Sequence, residues 1–513
     1  MDTEKIKKII LSCIDIRRPK DGGELWTYVS ALNVNRDDFK RCFTELRREN
    51  RFSIDHDADR LITIPAGGGT ADGPSQRFEK NKAAVLAEIE KKAEPNNEET
   101  YEEVTLNDVE TTIKKNFPSL WRSTKICFST IAVLLLEDAK EPLGINLIGS
   151  PSSGKGTTLS FFYPIPNITY QSDSFTPQSF VTHMRIKNVE KLEQIDMLPK
   201  IKNKCMVVPE LAPIFGARKD DRLKNISLLT RVFDGQGLLT DSGIYGQRGY
   251  HGEYMFAWLG ASTPFSAAIW RLMEKLGQRW LFFNMPKNEK GEDELIDEII
   301  GSQTYKDKIK ECHKAVNNYL QTLFHKHKVG TIKWERKETA QVKIIVKLAQ
   351  LLAKLRAYVL ISATKTESGE DFYHYTMPMI EDPERIMSKL YNLARGHAII
   401  NGRNEINDED LKILIPIVLS SAPYERTLLI VELLDSGGTL YSSDIQDKLN
   451  CSQSSASRLM KMFNVLQICD YKSADVRDED GRPLGFIELK EDLKWFIGDR
   501  FKFLQKGGQE KLN

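Results

Sequence analysis

The chain lacks any CxxC pair. Its seven cysteines, Cys13, Cys42, Cys127, Cys205, Cys312, Cys451 and Cys469, are odd in number and scattered over 513 residues. Such spacing supports neither a disulfide framework nor a structural zinc site, and reduced thiols are expected. No apolar run nears the roughly 18 residues that a bilayer span requires. The opening MDTEKIKKII has no apolar core of the secretory type. A cytoplasmic protein without a membrane partner is the expectation. Charge of one sign is also missing: 73 basic residues against 72 acidic ones leave +1. Any hold on nucleic acid must therefore come from local patches. The eight histidines show no ligand spacing, and FHKHK at Phe324 to Lys328 reads as a solvated helix end.

What the chain has is length and alternation. A chain of this size exceeds one core and divides into several units. Residues 1–65 carry IKKIILSCI, ELWTYVSAL and RDDFKRCFTELRREN at helical period, then two short strands in RFSIDHDADRLITIP, the layout of a winged helix. A linker and charged helical segment, opened by the glycine-rich AGGGTADGPSQ, fills 66–119. In 120–290 a helix at about Lys125 to Asp138 feeds a strand at Gly144 to Ile148. The apolar strands NITYQS, KCMVV, EYMFAWLGAS and RWLFFNM then alternate with helices. This pattern predicts an α/β fold with a parallel sheet between helices. Residues 291–424 read as a helical lid region with one strand pair around ATKTESGEDFYHYTM. In 425–513 a helix, GGTLYSSDIQDKLN, a second helix and a hairpin form a second winged helix.

Between the first strand and its helix stands GSPSSGKGTT: Gly149, Ser150, Pro151, Ser152, Ser153, Gly154, Lys155, Gly156, Thr157 and Thr158. Gly149, Gly154 and Lys155 satisfy G-x-x-x-x-G-K. Backbone N–H groups of such a turn converge on phosphate oxygens while the lysine neutralises their charge. ATP with Mg2+ is the expected ligand. A hydrolase of this type needs a hydroxyl after the lysine and an apolar strand ending in acid. Here Gly156 follows Lys155, and Val207, Val208, Pro209, Glu210 offer one carboxylate where two are common. The metal side then falls to Thr157 and Glu210, with Glu210 also orienting water. The spelling GKGT resembles the loop of adenylate-kinase-like enzymes.

The string LLTRVFDGQGLLTDSGIYGQRGYHGEYMFAWLGASTP, Leu228 to Pro264, resembles the core of AAA-plus ATPases of the clade holding minichromosome maintenance helicases, MoxR-type ATPases and magnesium chelatases. The resemblance covers roughly 120–425. It implies a hairpin at about Gly237 to Gly252 and a polar sensor at Thr263 beside Ser262. It also implies an arginine finger at Arg279, which reaches a neighbouring subunit's nucleotide. PERIMSKLYNLARGHAIINGRNEINDEDL, Pro383 to Leu411, is similar to that clade's lid, with Arg385 at the second sensor position. A ring, commonly a hexamer, is implied as well. The departures at Gly156 and Pro209 bear on turnover.

The winged helices point to DNA. In the first, Arg36, Lys40, Arg41, Arg47 and Arg48 lie on the recognition helix, diluted by Asp37, Asp38, Glu45 and Glu49. In the second, Ser454, Ser455, Arg458 and Lys461 open a helix with a polar N-terminus. Arg248 of the hairpin is placed to hold phosphate, with Tyr245 and Tyr250 to stack on bases or to pack the hairpin on its own domain. The expected function is an oligomeric ATPase that couples nucleotide turnover to DNA translocation or unwinding. The alternatives are a MoxR-like protein-remodelling ATPase, whose winged helices bind protein, and a nucleotide-gated DNA-binding regulator with weak hydrolysis.

Overall fold

The computed structural model describes residues 102–506 except 184–188, 244–245, 287–290, 293–295, 297–302, 366–370 and 478–482. Of the first hundred residues it describes 35–49, 52–55, 60–63 and the single positions 6, 7, 10, 11, 14 and 25. Two units divide the chain, Met1–Glu99 and Thr100–Asn513.

In the first unit, helix α1 (Arg36–Arg48) starts where Asn35 accepts the Asp37 N–H at 2.8 Å. Phe39, Cys42 and Leu46 recur at helical spacing and bury against Ile6, Ile10, Ile14 and Leu25. Strands β1 (Phe52–Asp55) and β2 (Arg60–Thr63) pair antiparallel, Phe52 opposite Thr63. These are the last helix and hairpin expected there. Most of the two preceding helices, and the glycine-rich linker, lie outside the described residues.

The second unit opens with α2 (Leu106–Asn116), capped reciprocally by Thr105 and Asp108. Helix α3 (Trp121–Ala132) follows a short 3-10 turn. It begins four residues earlier than the sequence suggests. Ser123 and Thr124 turn their hydroxyls back onto the Leu120 carbonyl at 2.9 and 2.8 Å, so polar side chains sit comfortably in a buried first turn. It also ends earlier, in a 3-10 turn over 133–135, where Leu136 bridges to Ile332.

Strand β3 (Leu143–Ile148) is buried at every position. After the glycine loop come α4 (Lys155–Ser160), β4 (Thr169–Gln171), β5 (Cys205–Val208) and α5 (Lys219–Val232). Next are β6 (Gly237–Ser242), β7 (Gly246–His251), β8 (Ala257–Ser262), α6 (Ala267–Leu276) and β9 (Leu281–Asn284). One sheet has the order β4-β5-β8-β3-β9 with every pairing parallel. Unbroken apolar strands such as CMVV and AWLGAS need helices on both faces, and two apolar clusters line the two sides. This is the α/β arrangement expected there, a five-stranded parallel sheet between helices. Strands β6 and β7 form a separate antiparallel hairpin in the expected place.

Helices α7 (Tyr305–Lys326), α8 (Ala340–Leu355), α9 (Glu384–Ile400) and α10 (Asp408–Ser420) follow, with the pair β10 (Ile361–Lys365) and β11 (Asp371–Tyr375) between them. Gly396 lets α9 lie against α3: a Cβ there would come 2.0 Å from the Ser129 carbonyl oxygen. The outer edge of β9 is covered, because the hydroxyls of Ser421 and Ser420 accept the N–H groups of Phe282 and Asn284 at 2.8 and 3.0 Å.

The chain closes with α11 (Tyr424–Asp435), β12 (Thr439–Tyr441), α12 (Ser442–Leu449), α13 (Gln453–Val465), β13 (Cys469–Arg477), β14 (Pro483–Leu489) and α14 (Asp499–Lys506). The antiparallel order β12-β14-β13 closes its small sheet. Among the described residues no helix is long and apolar enough to cross a membrane.

Candidate nucleotide site and its distant arginines

The strand register sets the site. Ile148 pairs with Ser262, and Val208 pairs with Gly260. Gly149, Thr263 and Glu210 therefore end three parallel strands at one level, with β8 between the other two and about 4.8 Å separating neighbours. The Gly149 N–H donates to the Ser262 carbonyl at 3.3 Å. Ser262 is buried, while Thr263 and Glu210 face outward.

The loop turns through two left-handed residues, Ser152 at φ 64° and Gly154 at φ 85°. At Gly154 no side chain fits, since a Cβ would meet Leu120 Cδ2 at 2.5 Å. Lys155 opens α4 and is only 8% exposed. Its Nζ donates to the carbonyls of Gly149 and Ser150, both at 2.8 Å, and reaches Ser153 Oγ at 3.4 Å. Burial pushes the lysine's pKa down and the charge of Glu210 pulls it up, so the two groups sense each other across the site.

Within α4 the polar side chains point to different partners. Thr158 is buried and bonded to Ser123 Oγ at 3.0 Å. Thr157 Oγ1 lies 2.5 Å from the Tyr305 hydroxyl, at the first turn of α7. Tyr305 in turn sets its ring edge-on to Phe117, 5.7 Å between centroids. A Cβ on Gly156 would have nothing within 4 Å. Glu210 Oε1 accepts the Ala212 N–H at 2.9 Å. Among the described residues no group of three His, Cys, Asp or Glu side chains forms a metal cage. Glu210, exposed at the end of β5, is the carboxylate that would hold a divalent cation brought there by phosphate.

Arg279 and Arg385 lie elsewhere. They line one cavity of about 270 Å³ with Glu141, Phe233, Asp234 and Gln236. Glu141 precedes β3 and Arg279 precedes β9, so this cavity sits at the amino end of the sheet and the loop at its carboxyl end. Six residues of strand separate the two by roughly 15–20 Å. Arg279 is held by Nε donating to Asp234 Oδ1 and by a second nitrogen donating to Gly277 O, both at 2.9 Å. Arg385 lies 4.0 Å from Glu381.

Similarity to known proteins is remote. No protein-family model matches the chain, and no curated protein matches it. Among solved structures the chain is similar to a full-length MCM homolog from Methanopyrus kandleri, at 9% identity and a TM-score of 0.33, over 71% of this chain and 65% of that one. It thus spans just under two thirds of that protein. It is also similar to the helicase Cch of SCCmec type IV, at 10% identity and a TM-score of 0.30, over 79% of this chain and 73% of that one. The NrS-1 C-terminal region gives 10% identity and a TM-score of 0.26, over 76% of this chain and 77% of that one.

The expected DNA contacts divide into several kinds. Lys40 and Arg41 are exposed on α1, Arg41 paired with Asp38 at 3.0 Å. The side chains of Arg36 and Arg47 lie outside the described residues. On α13, Ser452 caps the helix by accepting the Ser455 N–H at 3.3 Å, and its Oγ lies 3.0 Å from that of Ser454. Arg458 lies 3.7 Å from Glu425, and Lys461 is exposed. On the hairpin, Tyr250 donates to Asp196 Oδ2 at 2.8 Å and packs near Tyr254, so it fastens the hairpin to its own domain. Burial first, then Asp196, pushes its pKa up. Arg248 is half-buried and Gln247 exposed; Tyr245 lies outside the described residues. Sequence reasoning missed Tyr305, Asp234 and Leu120, whose only local signals are a helix-cap threonine, a DG turn and an ordinary leucine.

Proposed function

We propose that this chain is an oligomeric AAA-plus ATPase that binds DNA and couples ATP binding and hydrolysis to translocation or unwinding. One observation carries the reading: the glycine loop and the Arg279–Arg385 pair occupy opposite ends of one sheet. Cations that far from their own Lys155 serve a phosphoryl group only when a second copy presents its loop to them, which supports a ring with nucleotide at each seam.

In this reading the loop amides and Lys155 bind the phosphates, and the ammonium gives up the Gly149 and Ser150 carbonyls to do so. Mg2+ would supply charge neutralisation at the phosphates, anchored by Glu210. Glu210 orients the attacking water, and Thr263, level with Gly149 one strand away, donates to the γ phosphate. Arg279 and Arg385 of the adjoining copy stabilise charge on the transferred group. DNA meets Lys40 and Arg41 of the first unit with Arg36 and Arg47, Arg248 of the hairpin, and the Ser454, Ser455, Arg458 and Lys461 face of a C-terminal winged helix.

Mixing tests the seam. Lys155→Ala loses nucleotide binding, and Arg279→Ala binds ATP without turning it over. Combined, the two inactive variants regain activity, because mixed seams pair an intact loop with an intact arginine. Failure to regain any activity removes the shared site. A second reading, a nucleotide-gated DNA-binding regulator, is favoured by the missing hydroxyl at Gly156 and by the hold of Thr157 on Tyr305. Tight ATP binding without phosphate release, with or without DNA, selects it. Hydrolysis indifferent to DNA selects a protein-remodelling ATPase.

A further inference from the structure

At the far end of α3 from the glycine loop lies a second cavity, of about 530 Å³, between the start of α8, the middle of α9 and the segments around Asp138 and Arg336. Its volume is within the roughly 300–1,000 Å³ of small-molecule sites. The twelve residues of α3 put it about 18 Å from the loop. None of the loop residues line it.

Its walls are of two kinds. Val342, Ile345, Met387 and the ring of Tyr391 form an apolar floor. Beside them stands Arg395, 1% exposed, with its guanidinium 4.6 Å over the Tyr391 ring. Arg395 donates to Asp138 Oδ1 at 2.7 Å and to Asn392, and Arg336 grips Asp138 Oδ2 at 2.6 and 3.0 Å. Two guanidinium groups therefore share one carboxylate, and with Glu141 and Glu338 set against Lys140 and Lys337 the cavity wall keeps one positive charge in excess. The Arg395 Nε is buried and finds no hydrogen-bond acceptor among the described residues. A buried donor without an acceptor, next to surplus positive charge and an apolar floor, matches a ligand with an acid group at one end and a hydrocarbon body at the other.

We propose that this cavity binds an organic monoanion with an apolar body, its acid group lying against Arg336 and the Arg395 guanidinium behind it, and its body on Val342, Met387 and Tyr391. The site is separate from nucleotide binding and stands or falls independently of it. Because α9 also carries Arg385, occupancy of the cavity bears on the helix that positions that arginine.

The test is fluorescence titration of the full chain with 1-anilinonaphthalene-8-sulfonate and with its uncharged analogue N-phenyl-1-naphthylamine. The sulfonate binds one site per chain at least about tenfold more tightly than the amine. Arg336→Ala, at a side chain 70% exposed, brings the two affinities to within about twofold while the thermal unfolding midpoint of the variant confirms that it is folded. Val342→Trp, which fills the floor, weakens both at least about tenfold. Decanoate or 1-naphthoate displaces the sulfonate, and which one does so separates an aliphatic from an aromatic body. Saturating ATP displaces neither probe. Equal affinity for the two probes, indifference to both substitutions, displacement by ATP, or no displacement by either acid overturns the proposal.

Discussion

Arg279 donates from Nε to Asp234 Oδ1 at 2.9 Å, and Asp234 sits in the turn between α5 and the β6–β7 hairpin. The carboxylate fixes the direction of the guanidinium, and in the proposed function it acts on turnover only through that arginine. Asp234→Ala is therefore expected to leave ATP affinity unchanged and to lower kcat by roughly 10- to 100-fold, while Arg279→Ala lowers it by about 10³-fold or more. Phosphate release measured beside equilibrium nucleotide binding checks this. A matching loss of affinity in Asp234→Ala counts against a purely orienting role.

Gly156 occupies the second position of α4 with open space where a side chain would be. Gly156→Ser should fold as well as the parent or gain about 0.5 kcal/mol from helix propensity. It also offers the metal a hydroxyl beside Lys155. The expected outcome is a lower magnesium concentration for half-maximal ATP binding. An unchanged magnesium requirement places the metal beyond reach of that position.

Much of this was legible in the sequence, and the reasons are physical. The strands of the sheet announce themselves because LGINLI and AWLGAS are buried on both faces, and the loop because only glycine tolerates the turn at Gly154. What was illegible is long-range. Tyr305 meets Thr157 from 148 residues away, and Asp138 joins Arg395 across 257. No local pattern encodes such pairings. Tyr250, readable as a base-stacking or a packing aromatic, resolved to packing because Asp196 waits behind the hairpin.

Lys389 is buried and donates to the Pro142 carbonyl at 2.8 Å. Burial, with Arg279, Arg385 and Arg356 nearby, pushes its pKa down to about 8 from 10.5. The unfolded chain then holds that proton more tightly, so folding gains stability as pH rises from about 8 to 10.5. Lys389→Met should stabilise the fold by about 1–3 kcal/mol at pH 7, with the gain shrinking by pH 10. Denaturant unfolding at the two pH values checks it; a destabilised variant at pH 7 refutes it.

Asp410 is wholly buried in α10, bonded to Arg403 at 2.7 Å and to His397 Nδ1 at 2.5 Å. Burial lowers the pKa of His397 from 6.5, outweighing the pull of Asp410. For Asp410, burial acts upward, but the bonds from Arg403 and His397 hold its carboxyl below the usual range. Both shifts cost stability on acidification, the histidine as pH falls below about 6.5 and the aspartate only below about 3.8. Thermal unfolding should soften between pH 7 and 5. His397→Gln should flatten that limb, and Asp410→Asn should cost about 3–5 kcal/mol at pH 7 by stranding Arg403.

The two serine hydroxyls at the end of α10 have a bearing on assembly. By occupying the free N–H groups of β9, Ser420 and Ser421 close that margin of the sheet to strand exchange, and β4 at the opposite margin is only three residues long. The five-stranded sheet thus offers little ribbon to extend, and any copy that docks on it would meet helix flanks and loops, surfaces that can separate and rejoin without breaking its β-ladder.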